Sequence, residues 1–134
     1  MRNYYKNQQL KIIEIGKFYV AHDGSVQGHP CYIIWKDDDF NLYLGIRLGT
    51  SQNKENLPLI EDMFNSEKSH FYYKRPFLGK RKDFSRNELP DFMVAKELKN
   101  LIPTIINKAP KESCSIRRKD RRNFKKLMGK EKPS

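Results

Sequence analysis

"CYIIWKDDDFNLYLGIRLG", residues 31–49, is the stretch whose reading decides the fold. Its two apolar runs, "PCYIIWK" (30–36) and "NLYLGIRL" (41–48), are rich in the β-branched and aromatic residues that suit a pleated surface. In the second run Leu42, Leu44, Ile46 and Leu48 share one parity and line one sheet face, while Tyr43, Gly45 and Arg47 point the other way. "KDDDFN" joins the runs as an exposed hairpin turn in which three adjacent carboxylates reach water. Successive carboxylates on a strand would point to opposite faces, so a solvated turn is preferred to a metal site.

Upstream, "KIIEI" (11–15) and "KFYVA" (17–21) read as two more short strands. Downstream, residues 50–68 lack alternation and are read as a long functional or shielding loop, with Leu59, Ile60, Met63 and Phe64 forming at most a short amphipathic turn or two. Strand character resumes in "SHFYYKRPF" (69–77), punctuated by Pro76 and Gly79, and "FMVA" (92–95) is a candidate last strand. From Ala95 the spacing turns helical, because Leu98, Leu101, Ile102, Ile105 and Ile106 follow the i, i+3, i+4, i+7, i+8 rule. Pro103 predicts a kink or two helical pieces, and "KAP" (108–110) a stop.

A chain of 134 residues supports one core. The expected organisation is a single domain over 1–110 and a basic tail or helix over 111–134, the latter with a thin apolar stripe of Ile116, Phe124, Leu127 and Met128. Several antiparallel strands followed by helix predict a mainly β fold with peripheral helices, a small SH3-like barrel before other choices.

The charge of +11 is segregated. Residues 1–73 carry 8 basic and 9 acidic side chains, 74–86 carry 6 and 1, 87–110 carry 3 and 3, and 111–134 carry 10 and 3. A positive field of this kind favours a polyanion, of which nucleic acid is the commonest. No apolar run reaches the roughly 18 residues of a spanning helix, so a cytoplasmic protein with no membrane partner is expected. Cys31 and Cys114 have no second cysteine at metal-ligand spacing and read as free thiols of a reducing compartment.

Nucleotide-binding glycine loops, paired-histidine zinc motifs and nucleophile elbows are absent from the sequence. Cleavage of RNA through its own 2′-hydroxyl needs few parts: a proton acceptor, a cation or donor for the phosphate, and a donor for the leaving oxygen. His29 fits the first role, Thr50 and Ser51 the phosphate contact, and Lys54 or Arg75 the charge, with no metal or other cofactor required. His70, Tyr72, Arg75, Lys80, Arg81, Lys82, Arg117, Arg118, Arg121 and Arg122 are the candidate RNA-binding residues, a tyrosine of the "FYY" run stacking a base and the cations holding phosphates.

On these residues the chain resembles the MazF/PemK-like toxin endoribonucleases. "GKFYVAHDGSVQGHPCYIIWKDDDFNLYLGIRLGTSQNK" (16–54) is similar to that family's first half, and the likeness extends loosely through the "KRP" of residues 74–76 to Phe84. It implies a barrel with peripheral helices, often a homo-oligomer, that cleaves single-stranded RNA without metal and is restrained by an antitoxin. The family's catalytic pair maps onto His29, where the family usually has arginine before proline, and onto Thr50 or Ser51. Thr50, Ser51 and Lys54 also resemble the Thr-Ser-Lys loop of the ToxN-like branch, whose antitoxin is RNA. The competing expectation is a non-catalytic basic barrel that binds RNA, DNA or a ribosome, with residues 74–86 and the tail as its contact surface.

Overall fold

In a computed structural model the described residues are 11–49, 57–58, 70–90, 94 and 96–131. The strands are β1 (Phe18–Ala21), β2 (His29–Asp37), β3 (Leu42–Gly49), β4 (Leu57–Pro58), β5 (His70–Phe71), β6 (Phe77–Gly79) and β7 (Cys114–Ser115). The helices are α1 (Lys96–Glu112) and α2 (Arg118–Glu131), and a 3-10 turn spans Arg81–Asp83. The main strand path runs β1-β2-β3-β5-β4, with β6 pairing both β3 and β7.

The hairpin of β2 and β3 is the centre of the sheet, paired from Cys31↔Arg47 to Asp37↔Leu42. Its turn is tied locally: Asp37 accepts from the Phe40 N–H at 3.0 Å, Asp38 pairs with Lys36 at 3.0 Å and accepts from the Tyr43 hydroxyl at 3.1 Å. Leu42, Leu44, Ile46 and Leu48 do share one buried face, packing with Phe18, Phe71, Leu78 and the apolar stripes of both helices. Tyr43 lies on the other face, in a second cluster with Ile13, Tyr19, Cys31, Ile33, Phe77 and Phe84. Burial of each such side chain is worth roughly 1.5–3 kcal/mol, so a strand buried on both faces anchors the fold. The register slips between Ile33 and Trp35, and this bulge allows the adjacent Ile33 and Ile34 both to be buried, one in each cluster. At the centre, Gly45 has no substitute: a Cβ there would lie 2.3 Å from Cys31 Sγ.

Several expectations change. Residues 11–15 form no strand, although Ile13 is fully buried, because their backbone is not laddered to a neighbour. The sheet is mixed, since β6 and β7 run parallel through Phe77↔Cys114. Among the described residues it is not closed by a continuous ladder: β1 meets the segment after the 3-10 turn through two isolated bridges, Ala21↔Phe84 and Phe18↔Leu89. The candidate strand at 92–95 and most of 50–68 lie outside the described residues, apart from Val94 and the two residues of β4.

α1 continues through both Pro103 and Pro110 to Glu112, past the expected stop. A proline inside a helix costs about 3 kcal/mol through its missing N–H and its clash with the preceding turn. Leu98, Ile105 and Ala109, buried on the opposite side, offset that cost, and Lys99, whose carbonyl Pro103 leaves unbonded, is exposed. The boundary at residue 110 therefore falls inside a helix. Residues 118–131 are not an untethered tail but a docked helix, with Phe124 fully buried edge-on to Trp35 at 5.0 Å and Met128 beside it in the core. No helix among the described residues is long and apolar enough to cross a membrane.

Candidate functional site

The β1-β2 connection, residues 22–28, opens and closes at one end of the sheet because Ala21 pairs with His29. Its closing residue, Gly28, has φ +71°, and a Cβ there would sit 2.6 Å from the Ala21 carbonyl oxygen. That tight return folds the loop over the hairpin end and carries Asp23 back against His29, with His29 Nδ1 2.8 Å from Asp23 Oδ2.

Asp23 is the hub. Its side chain is only 3% exposed and accepts from the Ser25 hydroxyl at 2.7 Å, the Ser25 N–H at 3.3 Å and Arg47 Nη1 at 2.9 Å. Burial alone would raise its pKa, but the hydrogen bonds from Ser25, Arg47 and His29 prevail and hold the carboxyl well below the usual carboxylate range. The group is an anion whenever the protein is folded near neutral pH. A carboxylate on Nδ1 selects the imidazole tautomer that carries its proton there, leaving Nε2 unprotonated and able to accept a proton.

Arg47 reaches this carboxylate from β3, directly across the ladder from Cys31. Its second amino group donates to the Arg75 carbonyl and to Cys114 Sγ, both at 3.3 Å, and its guanidinium lies 5.8 Å from the centre of the Phe77 ring. One side chain thus ties the β1-β2 loop, β3, the turn before β6 and the strand between the helices. Tyr72 packs edge-to-face on His29 at 6.0 Å, and its hydroxyl occupies the space over Gly49, where a Cβ would lie 1.8 Å away. Its N–H donates to the Arg47 carbonyl at 2.8 Å. Burial pushes the neighbouring Cys31 thiol far above its ordinary range, so it is an inert core group.

The predicted residues divide. His29 and Tyr72 come together, and Gly49, the last residue of β3, ends at the same edge of the sheet by pairing with His70. Thr50, Ser51 and Lys54 lie outside the described residues. His70 is half-buried, and its Nδ1 has no partner among the described residues.

Arg81 is not a surface cation. It is 5% exposed, and its guanidinium donates to the carbonyls of Lys11 at 2.6 Å, Phe84 at 3.4 Å, Ser85 at 3.0 Å and Arg86 at 2.9 Å. Arg117 is likewise engaged, forming a two-pronged pair with Asp83, one contact at 2.9 Å, and reaching Asp120 at 3.4 Å. Lys80 donates its backbone N–H to Asp83 at 2.8 Å and sets its ammonium 3.8 Å from the buried Asp120. Lys82, Arg75, Arg118 and Arg122 are exposed.

The sequence reading missed Asp23 and Arg47. The signal for Arg47 was its position, a cation in the most apolar strand on the face opposite Leu42, Leu44, Ile46 and Leu48, and Asp23 stood in a glycine-flanked turn only six residues before His29. Compared with protein-family models and with curated proteins, the sequence matches none.

Proposed function

We propose that the protein is a metal-independent endoribonuclease of the toxin type, acting on single-stranded RNA at the His29 end of the sheet. The observation that carries this reading is the Asp23-held His29 beside Arg47, an oriented base next to a fixed cation. His29 Nε2 takes the proton of a ribose 2′-hydroxyl, whose oxygen attacks the adjacent phosphorus. The P–O5′ bond breaks, leaving a 2′,3′-cyclic phosphate, and the departing 5′-oxygen takes up a proton from solvent, while Lys54 or Arg75, the sequence candidates for that charge, stabilises the phosphate. Thr50 and Ser51, which follow Gly49 in the chain, are the candidates for holding the phosphate oxygens.

On this reading His29 stands where the family carries an arginine before its proline, and the nearest fixed cation is Arg47 on the neighbouring strand. Its charge is spent on Asp23, so its role is to hold the dyad together and not to touch phosphate. The 3-10 turn that follows β6, and the return of the next segment onto β1 through Ala21↔Phe84 and Phe18↔Leu89, support an SH3-like arrangement as the finer reading of the fold. An antitoxin, protein or RNA, is the partner that such an activity requires in a living cell.

A second reading, a non-catalytic RNA-binding protein, is favoured by one observation: Arg118, Arg121, Arg122 and Lys125 line a single open cleft of about 490 Å³ on α2. Incubation of RNA with purified protein in excess EDTA separates the two. The nuclease yields fragments ending in 2′,3′-cyclic phosphate, and His29→Ala abolishes them with little change in melting temperature. Intact RNA bound by both proteins supports the binder. Truncation at residue 110 is unsuitable for this comparison, because it removes Phe124 and Met128 from the core.

A further inference from the structure

A second cationic cleft, also about 490 Å³, is bounded by Lys74, Arg75, Lys111, Glu112, Ser113 and Arg121. It adjoins the His29 site, since Arg47 donates to the Arg75 carbonyl and to the sulfur of Cys114, the residue after Ser113. Four cations face one carboxylate there. Two polar groups in its wall are unspent among the described residues: the Ser113 hydroxyl oxygen and Arg121 Nε are both buried without a hydrogen-bond partner. Ser113 is only 3% exposed. A buried hydroxyl with no partner is less stable than a bonded one, so the Ser113 oxygen retains hydrogen-bonding capacity for a ligand atom in the cleft.

We infer that this cleft is a phosphodiester subsite, in which a backbone phosphate of single-stranded RNA flanking the reacting nucleotide accepts hydrogen bonds from the Ser113 hydroxyl and the Arg121 guanidinium, with Lys74, Arg75 and Lys111 supplying charge. The inference rests on RNA being the partner but not on its being cleaved. A phosphodiester fits the donor set better than a base, because a single negative charge with two free oxygens meets a hydroxyl and a guanidinium together. α1 and α2 bring Lys111 and Arg121 from separate elements to one point; Arg121 stands between the two clefts and lines both, whereas Ser113 and Lys111 line this one and Arg118, Arg122 and Lys125 the other.

The test is binding of a 2′-deoxy oligonucleotide, which cannot be cleaved through a 2′-hydroxyl, followed by fluorescence anisotropy across a range of salt. Arg121→Gln is expected to lower affinity about tenfold and to flatten the dependence of log affinity on log salt by about 0.7. Ser113→Ala is expected to lower affinity about threefold or more with the slope unchanged, since it removes a neutral donor. Lys99→Gln, a surface change outside the cleft, should leave both untouched. Melting temperatures within a few degrees of the parent show that the variants fold, and Arg121→Lys, which keeps the charge, should retain the slope while losing affinity. Wild-type affinity in both Ser113→Ala and Arg121→Gln overturns the subsite, as does absence of oligonucleotide binding by the parent protein. Protection by inorganic phosphate alone, with oligonucleotide binding unchanged in the variants, also overturns it. Binding that behaves as expected without any RNA cleavage in EDTA removes the nuclease reading and leaves this subsite standing.

Discussion

His29 Nδ1 and Arg47 Nη1 meet at one atom, Asp23 Oδ2, at 2.8 and 2.9 Å. A base and a cation that would otherwise repel when the imidazole is protonated are thus joined through a shared anion. The arrangement makes Asp23 more informative than either partner. Asp23→Asn keeps the shape but can offer an N–H to Nδ1, which would reverse the tautomer and move the proton to Nε2. RNA cleavage should fall by about 10²-fold or more, while affinity for a 2′-deoxy oligonucleotide stays within a few-fold of the parent. Equal loss of binding and cleavage would mean that Asp23 serves the fold alone.

The same residue predicts an acid response. Its folded carboxyl is held below the unfolded value of about 3.9, so the stability it contributes is complete above about pH 4 and is lost as the pH falls toward the folded value. Asp83, buried and bonded by Arg117, is depressed in the same direction: burial opposes ionisation, but the Arg117 and Lys80 hydrogen bonds outweigh it. Urea midpoints measured from pH 6 to 2.5 should drop steeply below pH 4 in the parent and less steeply in Arg117→Gln. That variant should already be less stable at pH 7 by about 1–3 kcal/mol, because it leaves a mostly buried carboxylate without its charged partner. Parallel pH curves would refute the coupling.

Arg81 and Lys82 are adjacent cations with opposite fates. Arg81→Ala strips donors from four backbone carbonyls and should cost about 3 kcal/mol or more, lowering the melting temperature by several degrees. Lys82→Ala, at an exposed position, should shift stability by no more than about 0.5 kcal/mol. Thermal denaturation of the two variants side by side decides whether the basic run of 80–86 is partly internal scaffold.

That pair also shows where sequence reading reaches and where it stops. The parity of Leu42, Leu44, Ile46 and Leu48 is a local property of a strand, and the face they share follows from it. The helical stripe from Leu98 to Ile106 was legible for the same reason, and only the prolines misled, because tertiary burial outweighs a local propensity cost. Whether a cation in "KRKDFSR" faces water or carbonyls is not wholly local: Arg81 is buried because Lys11, from the far N-terminal side of the chain, closes on it together with the carbonyls of the following turn, 84–86. His29 could be singled out as a histidine opening a strand. Its partners could not, because Arg47 joins it only across the hairpin ladder and Asp23 only once the loop has folded back.

Gly28 is the residue on which that folding back depends. Its positive φ is strained for any residue with a side chain, and a Cβ would press within 2.6 Å of the Ala21 carbonyl oxygen and 2.8 Å of Val20 Cγ1. Backbone oxygen cannot retreat without loosening the Ala21↔His29 pair, so Gly28→Ala must open the loop by moving residues 22–28 away from the sheet end. The direct cost is of order 1–3 kcal/mol, small beside a core held by two apolar clusters, and the protein should remain folded with a modestly lowered melting temperature. Its effect on the site is larger. Asp23 would leave its shared position between His29 and Arg47, and the His29 ring would lose the contact that fixes its tautomer. Cleavage should therefore fall at least tenfold in a variant that still melts cooperatively, and the Asp23-dependent loss of stability below pH 4 should shrink with it. Full activity in folded Gly28→Ala would show that the Asp23 contact does not position the base.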